Sequence, residues 1–380
     1  MTVRAWDAVR GAFGWVLAGV VALGIAALLP HEAFRGAIAQ DWSPFALVAG
    51  LLLVGLAADD DGLFSWVGGH LAGVSSAGWP VLLLGSVVVI IVTALLNLDT
   101  AVAFLTPVML HVARRRGAVG GGWLYGPLLL ANAGSLWLPG SNLTNLLVMG
   151  QLHLTGAQYV ARMGGPALGA TVVAIGAVMV RGRRDLGSGR PNAEPVALRL
   201  GAGSLAVLGA TTTMLVTSSP ALIVLAIGLA VAAWRVVRGW DSVSRVVGAL
   251  EPAPLLGLFG VAVLAGAVGR VWSGPAQLLA HAGGPPTAAL GAGAAVLINN
   301  LPAASLLASH VPAHPLALLL GLNLGPNLAP TGSLAWLLWR RTARAAGAAP
   351  SMRAAVGWGV PVAVATLVVA TLWLELAGLH

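Results

Sequence analysis

Asp99 is the residue in this sequence best placed to do chemistry. It follows 37 uncharged residues and sits in the polar run Asn97-Leu98-Asp99-Thr100. The other eleven acids read as loop or helix-end residues. A carboxyl group at bilayer depth is expensive unless it is protonated or paired. No arginine lies near it in sequence, so a proton carrier and a cation ligand are the two roles open to it. Three further polar breaks interrupt apolar sequence, at 139–145, 299–302 and 325–333. Pro139, Gly140, Pro326, Pro330 and Gly332 supply the unwinding, because proline removes a donor and glycine frees the backbone. Asn97, Thr100, Ser141, Asn142, Thr144, Asn145, Asn299, Asn300, Asn327, Thr331 and Ser333 supply donors and acceptors. Backbone broken inside a bilayer must line a polar cavity or bury itself in protein. Half-helix N-termini at such breaks carry positive dipole ends, which suit an anion or a polarised hydroxyl. If the four breaks meet, they form one small polar substrate site.

The elements that must position these residues are membrane helices. The chain has 380 residues, 58% hydrophobic and 8% charged, with a mean hydropathy of +0.90. A soluble domain carries about 25% charged residues. Apolar runs of about 20 residues recur throughout, whereas a transmembrane barrel would show ~10-residue alternation. There is no cysteine, which excludes disulfides, thiolate metal sites and cysteine nucleophiles. The eight histidines show no ligand spacing, and neither a metal nor a cofactor is expected. All 20 basic residues are arginine, and their place at helix ends fits membrane orientation better than nucleic acid. Arg4 and Arg10 precede the run Ala12 to Leu29 as in a signal peptide, but that run is long enough to span and reads as the first helix.

The embedded segments read as 11–30, 44–62, 80–113, 121–150, 157–180, 201–217, 219–237, 252–270, 286–313, 315–340 and 355–377. Segment 80–113 would be ~50 Å long as one helix, too long for one ~30 Å crossing and too short for two with a turn. Both it and 286–313 carry a central polar break, so each is expected to be a re-entrant hairpin, with tips at 97–100 and 299–302. With the N-terminus inside, this scheme has nine crossings. It leaves Arg35, Arg162 and Arg270 outside and the other 17 arginines inside. The expected organisation is a first repeat over 1–180, a cytoplasmic linker over 181–200, an extra helix over 201–217 and a second repeat over 219–380.

The two halves share a pattern at a constant offset of 191. The matching pairs include Asn132/Asn323, Gly134/Gly325, Pro139/Pro330 and Leu143/Leu334. A polar-tipped hairpin lies upstream of each match and a crossing helix downstream. The first hairpin opens inside and the second outside, so the repeats are inverted, as alternating access requires. The fold class expected is an all-α polytopic membrane protein with two inverted-topology repeats, each holding a re-entrant hairpin and a broken helix.

Several of these segments resemble the arsenite/antimonite efflux permeases of the ion-transporter superfamily, which also holds the dicarboxylate and citrate carriers. Residues 321–339 look like the family's Leu-Gly-Pro-x-x-x-Pro-x-Gly-Ser-Leu-Ala signature. Asn299-Asn300-Leu301-Pro302 resembles its Asn-Asn-x-Pro hairpin tip, and Ser141-Asn142-Leu143-Thr144-Asn145 its Ser-Asn-Leu-x-Asn run. Leu105-Thr106-Pro107 and Gly62-Leu63-Phe64-Ser65-Trp66 also stand where the family has them. One departure is Asn97-Leu98-Asp99, where the family pattern has Asn directly before Asp.

The resemblance implies a non-enzymatic, elevator-like carrier in the bacterial inner membrane that exchanges a neutral trihydroxy metalloid for protons. Asn97, Thr100, Ser141, Asn142, Asn145, Asn299, Asn300, Asn327, Thr331 and Ser333 would bind the substrate, and Asp99 would carry the proton. The alternative is a proton- or sodium-coupled dicarboxylate- or citrate-like symporter. The absence of arginine at the tips speaks against a multiply charged anion. The bilayer is a partner and nucleic acid is not. A homodimer and a soluble ATPase partner are both left open. A membrane enzyme or scaffold would need a catalytic set that the sequence does not show.

Overall fold

The computed structural model describes residues 3–118, 120–150, 152, 154–184, 186 and 201–379. The linker assigned to 181–200 falls mostly outside the described residues, with Arg190 and Arg199. So do the side chains of residues 3–11, which include Arg4 and Arg10.

Among the described residues the regular elements are all helical. The first half holds α1 (Val3–Ala27), α2 (His31–Asp60), α3 (Leu63–Gly73), α4 (Gly78–Leu95), α5 (Leu98–Arg115), α6 (Gly121–Gly134), α7 (Leu143–Gly150) and α8 (Gly156–Gly182). The second holds α9 (Ala202–Val216), α10 (Ala221–Val237), α11 (Val243–Ala249), α12 (Pro252–Val271), α13 (Gly274–His281), α14 (Gly284–Ile298), α15 (Asn300–Leu307), α16 (Pro315–Leu324), α17 (Leu334–Ala345) and α18 (Met352–Leu376). Among the described residues, five helical stretches are long and apolar enough to cross a membrane.

The helices from α3 to α8 correspond one for one to those from α13 to α18. Each set has a short helix, a two-limbed hairpin, a helix broken in its middle and a long closing helix. The hairpins turn where asparagine replaces the helical ladder with its own side chain. Asn97 Oδ1 accepts from the Thr100 amide at 2.7 Å and caps α5. Asn299 takes a left-handed φ of 75°, which asparagine tolerates, and its Oδ1 accepts from the Leu301 amide at 3.3 Å. The broken helices pass through 3-10 turns at Pro139–Ser141 and Gly325–Leu328.

The relative direction of the repeats follows from α2 and α12, which precede them. The first third of α2 meets the end of α12, where Arg270 Nη2 donates to Gln40 Oε1 at 2.7 Å. The end of α2 meets α11, just before α12 begins, where Arg245 pairs with Asp60 at 2.5 Å. The two helices are therefore antiparallel, and the repeats that follow them start from opposite ends. This is the inverted all-α architecture expected from the sequence.

Two groups of helices are visible. α1, α2, α9, α10 and α12 pack on one another, and the two hairpins, the broken helices, α8 and α18 form the rest. α2 and α10 approach so closely that a Cβ on Gly228 would lie 2.5 Å from the Gly50 carbonyl oxygen. Their ends are tied by ions: Arg235, 6% exposed, pairs with Asp60 at 3.1 Å, Asp61 at 3.3 Å and Asp241 at 3.0 Å.

Arginine marks one end of the bundle. Arg114 bonds the Ala346 carbonyl, Arg341 pairs with Glu251 at 2.8 Å, and Arg181 lies over Trp358. A single cysteine replacing Arg115 should therefore react with an impermeant thiol reagent from the same membrane side as one replacing Arg341. Reaction from opposite sides would break this arrangement.

Candidate functional site

All four breaks meet at one small cavity of about 20 Å³. It is lined by Leu98 and Asp99, by Asn142 and Leu143, by Asn299, Asn300 and Leu301, and by Ser333 and Leu334. Phe45 of α2 and Leu255 and Leu258 of α12 close the remaining wall. The volume is about that of one water. The breaks reach it in the same way: Leu98, Leu143, Asn300 and Leu334 are the first residues of α5, α7, α15 and α17. Four helix N-termini thus converge. Each carries a partial charge of about +0.5. Together they offset the Asp99 carboxylate and leave room for a further negative group.

The residues singled out from the sequence separate into three sets. Asp99, Asn142, Asn299, Asn300 and Ser333 line the cavity. Asp99 Oδ1 and Ser333 Oγ are buried with no hydrogen-bond partner among the described residues. Asn97 Nδ2 and Thr100 Oγ1, in the first hairpin tip, are in the same condition. Buried polar atoms are nearly always paired, so atoms left unpaired around one cavity point to a ligand.

The second set holds the two broken helices together. Asn323 is its hub. Its Oδ1 accepts from Ser135 Oγ at 2.7 Å, Asn142 Nδ2 at 2.7 Å and Thr144 Oγ1 at 3.4 Å, and its Nδ2 donates to Asn145 Oδ1 at 2.9 Å. Asn132 Nδ2 donates to Asn327 Oδ1 at 2.7 Å. Ser141 Oγ donates to the Ser135 carbonyl at 2.6 Å. Asn145 and Asn327 therefore bind protein across the repeat interface, Ser141 bonds within its own break, and none of the three is on the cavity wall. Thr331 is the third case: it is exposed, and its hydroxyl donates to the Val296 carbonyl at 2.6 Å, closing the end of α14.

No curated protein sequence matches the chain. A solved structure does, that of the Alcanivorax borkumensis YdaH transporter, reported to have an unusual topology. It is 14% identical, with a TM-score of 0.57 over 96% of this chain and 97% of that one. At that identity the likeness concerns the fold. A family model described as a citrate transporter (CitMHS) matches residues 6–343. The chain belongs to the citrate transporter family. It is a multi-pass membrane transporter of the ion-transporter type, and the arsenite-efflux branch named by the motif resemblance is not the family matched.

Two features of the transporter were not legible from spacing. Phe45 and Leu258 look like ordinary apolar helix residues, yet they wall the cavity. Asp41 reads as a residue just outside a segment starting at 44. It lies instead within α2, fully buried, accepting from Ser305 Oγ at 2.6 Å. Asp99 is thus not the one buried acid inside a helix. Among the described residues no group of His, Asp and Glu is arranged to hold a metal ion.

Proposed function

We propose that this transporter carries a small, oxygen-rich solute by proton-coupled alternating access, with the solute at the cavity between the four breaks. The convergence of four helix N-termini on one cavity carries this reading. Asn142, Asn299, Asn300 and Ser333 supply directed hydrogen bonds, and the helix ends supply positive field without a basic side chain.

A carboxylate of the citrate kind is the first reading, favoured by the family and by that field. It also explains coupling. An anion beside an ionised Asp99 meets like-charge repulsion in a low-dielectric site, so anion and proton enter together. Arsenite or antimonite as the neutral trihydroxide is the second reading. It is favoured by the motif over 321–339 and by the lack of arginine on the cavity wall, and it makes Asp99 the carrier of a counter-moving proton. The charge distribution of the sequence supports a cytoplasmic arginine-rich end.

Purified protein in proteoliposomes separates the readings. With an imposed proton gradient, citrate should accumulate on the side to which protons flow, whereas arsenite should accumulate on the side they leave. Movement of neither solute sinks both readings. Within either, Ser333→Ala should fold normally, because its hydroxyl bonds nothing among the described residues. Its transport should fall about tenfold, the worth of one substrate hydrogen bond. Full transport by Ser333→Ala would place the solute elsewhere.

A further inference from the structure

A second cavity, of about 430 Å³, lies at the arginine-poor end. Gln40, Ser43, Pro139, Leu147, Ser218 and Arg270 are among its lining residues. Two helices run from it to the central cavity. On α2, Gln40 and Pro44 line the larger cavity and Phe45 lines the central one. On α7, Leu147 lines the larger and Leu143 the central. Residues four apart lie on one face of a helix, so Asp41 stands directly above Phe45, on the partition between the cavities.

Polar contacts across that partition join three helices. Asp41 Oδ1 of α2 accepts from Ser305 Oγ of α15, the exit limb of the second hairpin, at 2.6 Å. Gln40 Nε2 donates to the Ser305 carbonyl at 3.3 Å, and Arg270 of α12 donates to Gln40. The other carboxyl oxygen, Asp41 Oδ2, is buried with no hydrogen-bond partner among the described residues. It lies against Gly266, where a Cβ would meet Asp41 Oδ2 at 3.6 Å, Ala37 Cβ at 3.4 Å and Arg270 Nη1 at 3.3 Å. Arg270 lines the larger cavity, so the unpaired oxygen is one side chain away from that space.

Few charges act on this carboxyl. From α12 it is Arg270, and from α15 Ser305 brings no titratable group. α7 has no titratable residue, and α1 and α10 have none at this end. On α2 itself, His31, Glu32 and Arg35 are exposed, more than a turn towards the helix start. A buried acid is poor fold cement, since apolar replacements of buried ionic groups are often neutral or stabilising.

We propose that Asp41 is a proton-operated latch on the partition between the two cavities. As a carboxylate it takes a charge-assisted hydrogen bond from Ser305 and holds the second hairpin against α2. A proton from water in the larger cavity binds Oδ2. Ser305 keeps its own proton and then faces a neutral acid, to which the bond is roughly half as strong. The α15 limb is released, and the central cavity opens toward that end. Acid on the arginine-poor side therefore favours opening. The latch rests on the reading of the central cavity as the carried site, but its test needs no solute.

The test uses Leu143→Cys in the otherwise cysteine-free full-length chain, reconstituted in lipid vesicles. An impermeant thiol reagent is applied from the arginine-poor side. At mildly alkaline pH, adding Asp41→Asn or Ser305→Ala should speed labelling of position 143 about tenfold. At mildly acidic pH the excess over the Leu143→Cys parent should vanish, because the native latch is then open. The Asp41→Asn ratio at each pH removes the ionisation of the thiol itself. Ser305→Ala keeps the question answerable if Asp41→Asn folds poorly. Labelling of both variants at the parent rate in alkali, or a ratio independent of pH, overturns the latch. Loss of transport with the labelling pattern intact would refute the solute assignment alone.

Discussion

Asp99→Asn should abolish proton-driven accumulation while leaving exchange of solute down its own gradient. Asp99 lines the central cavity, and its Oδ1 has no partner among the described residues, so the substitution removes no bond that holds the fold. Asparagine keeps the size and fixes the charge at zero. One proton moved per solute can sustain about a tenfold concentration ratio for each unit of pH difference. Wild-type protein in vesicles should approach that ratio, and Asp99→Asn should settle at equal concentrations on both sides. The readout is the plateau, not the rate, because a slow but coupled variant still reaches the wild-type ratio. A wild-type plateau would move the coupling to another group, and among the described residues Asp41 is the other acid buried inside a membrane helix.

Asn323→Ala should be the most damaging of the asparagine substitutions to stability. Asn323 is fully buried and joins α16 to the opposite repeat through Ser135, Asn142, Thr144 and Asn145. Alanine strands the Asn142 amide and the Asn145 carbonyl oxygen, at about 1–3 kcal/mol each. A loss of about 3 kcal/mol is expected, read as a large drop in the midpoint of thermal unfolding in detergent. Ser333→Ala is the control, with a midpoint near wild type. If both unfold together with the wild type, the asparagine network does not hold the broken helices in register.

Much of this architecture is written locally. Hydrophobic length requires membrane helices. Pro139, Gly140, Pro326 and Asn299 sit at their breaks, where a missing donor or a left-handed residue interrupts the ladder, although proline alone does not suffice, since Pro44 and Pro107 lie inside continuous helices. Arginine placement separates the two ends, since a charge cannot rest in hydrocarbon. The match of Asn132 with Asn323 reports the repeat before any helix is placed.

What each polar side chain touches is not local. Asn142 and Asn145 lie three residues apart on one break, yet one reaches the cavity and the other only protein. Both bond Asn323, nearly half the chain away, once the two broken helices cross, and only Asn142 also faces the cavity. Asp41 shows the same dependence. Its position near the start of α2 suggests an interfacial residue, until Ser305 of the second hairpin and Arg270 of α12 pack around it. A residue's type and its helical period tell that a polar group must be satisfied. Only the crossing of distant helices decides whether the partner is protein, proton or solute.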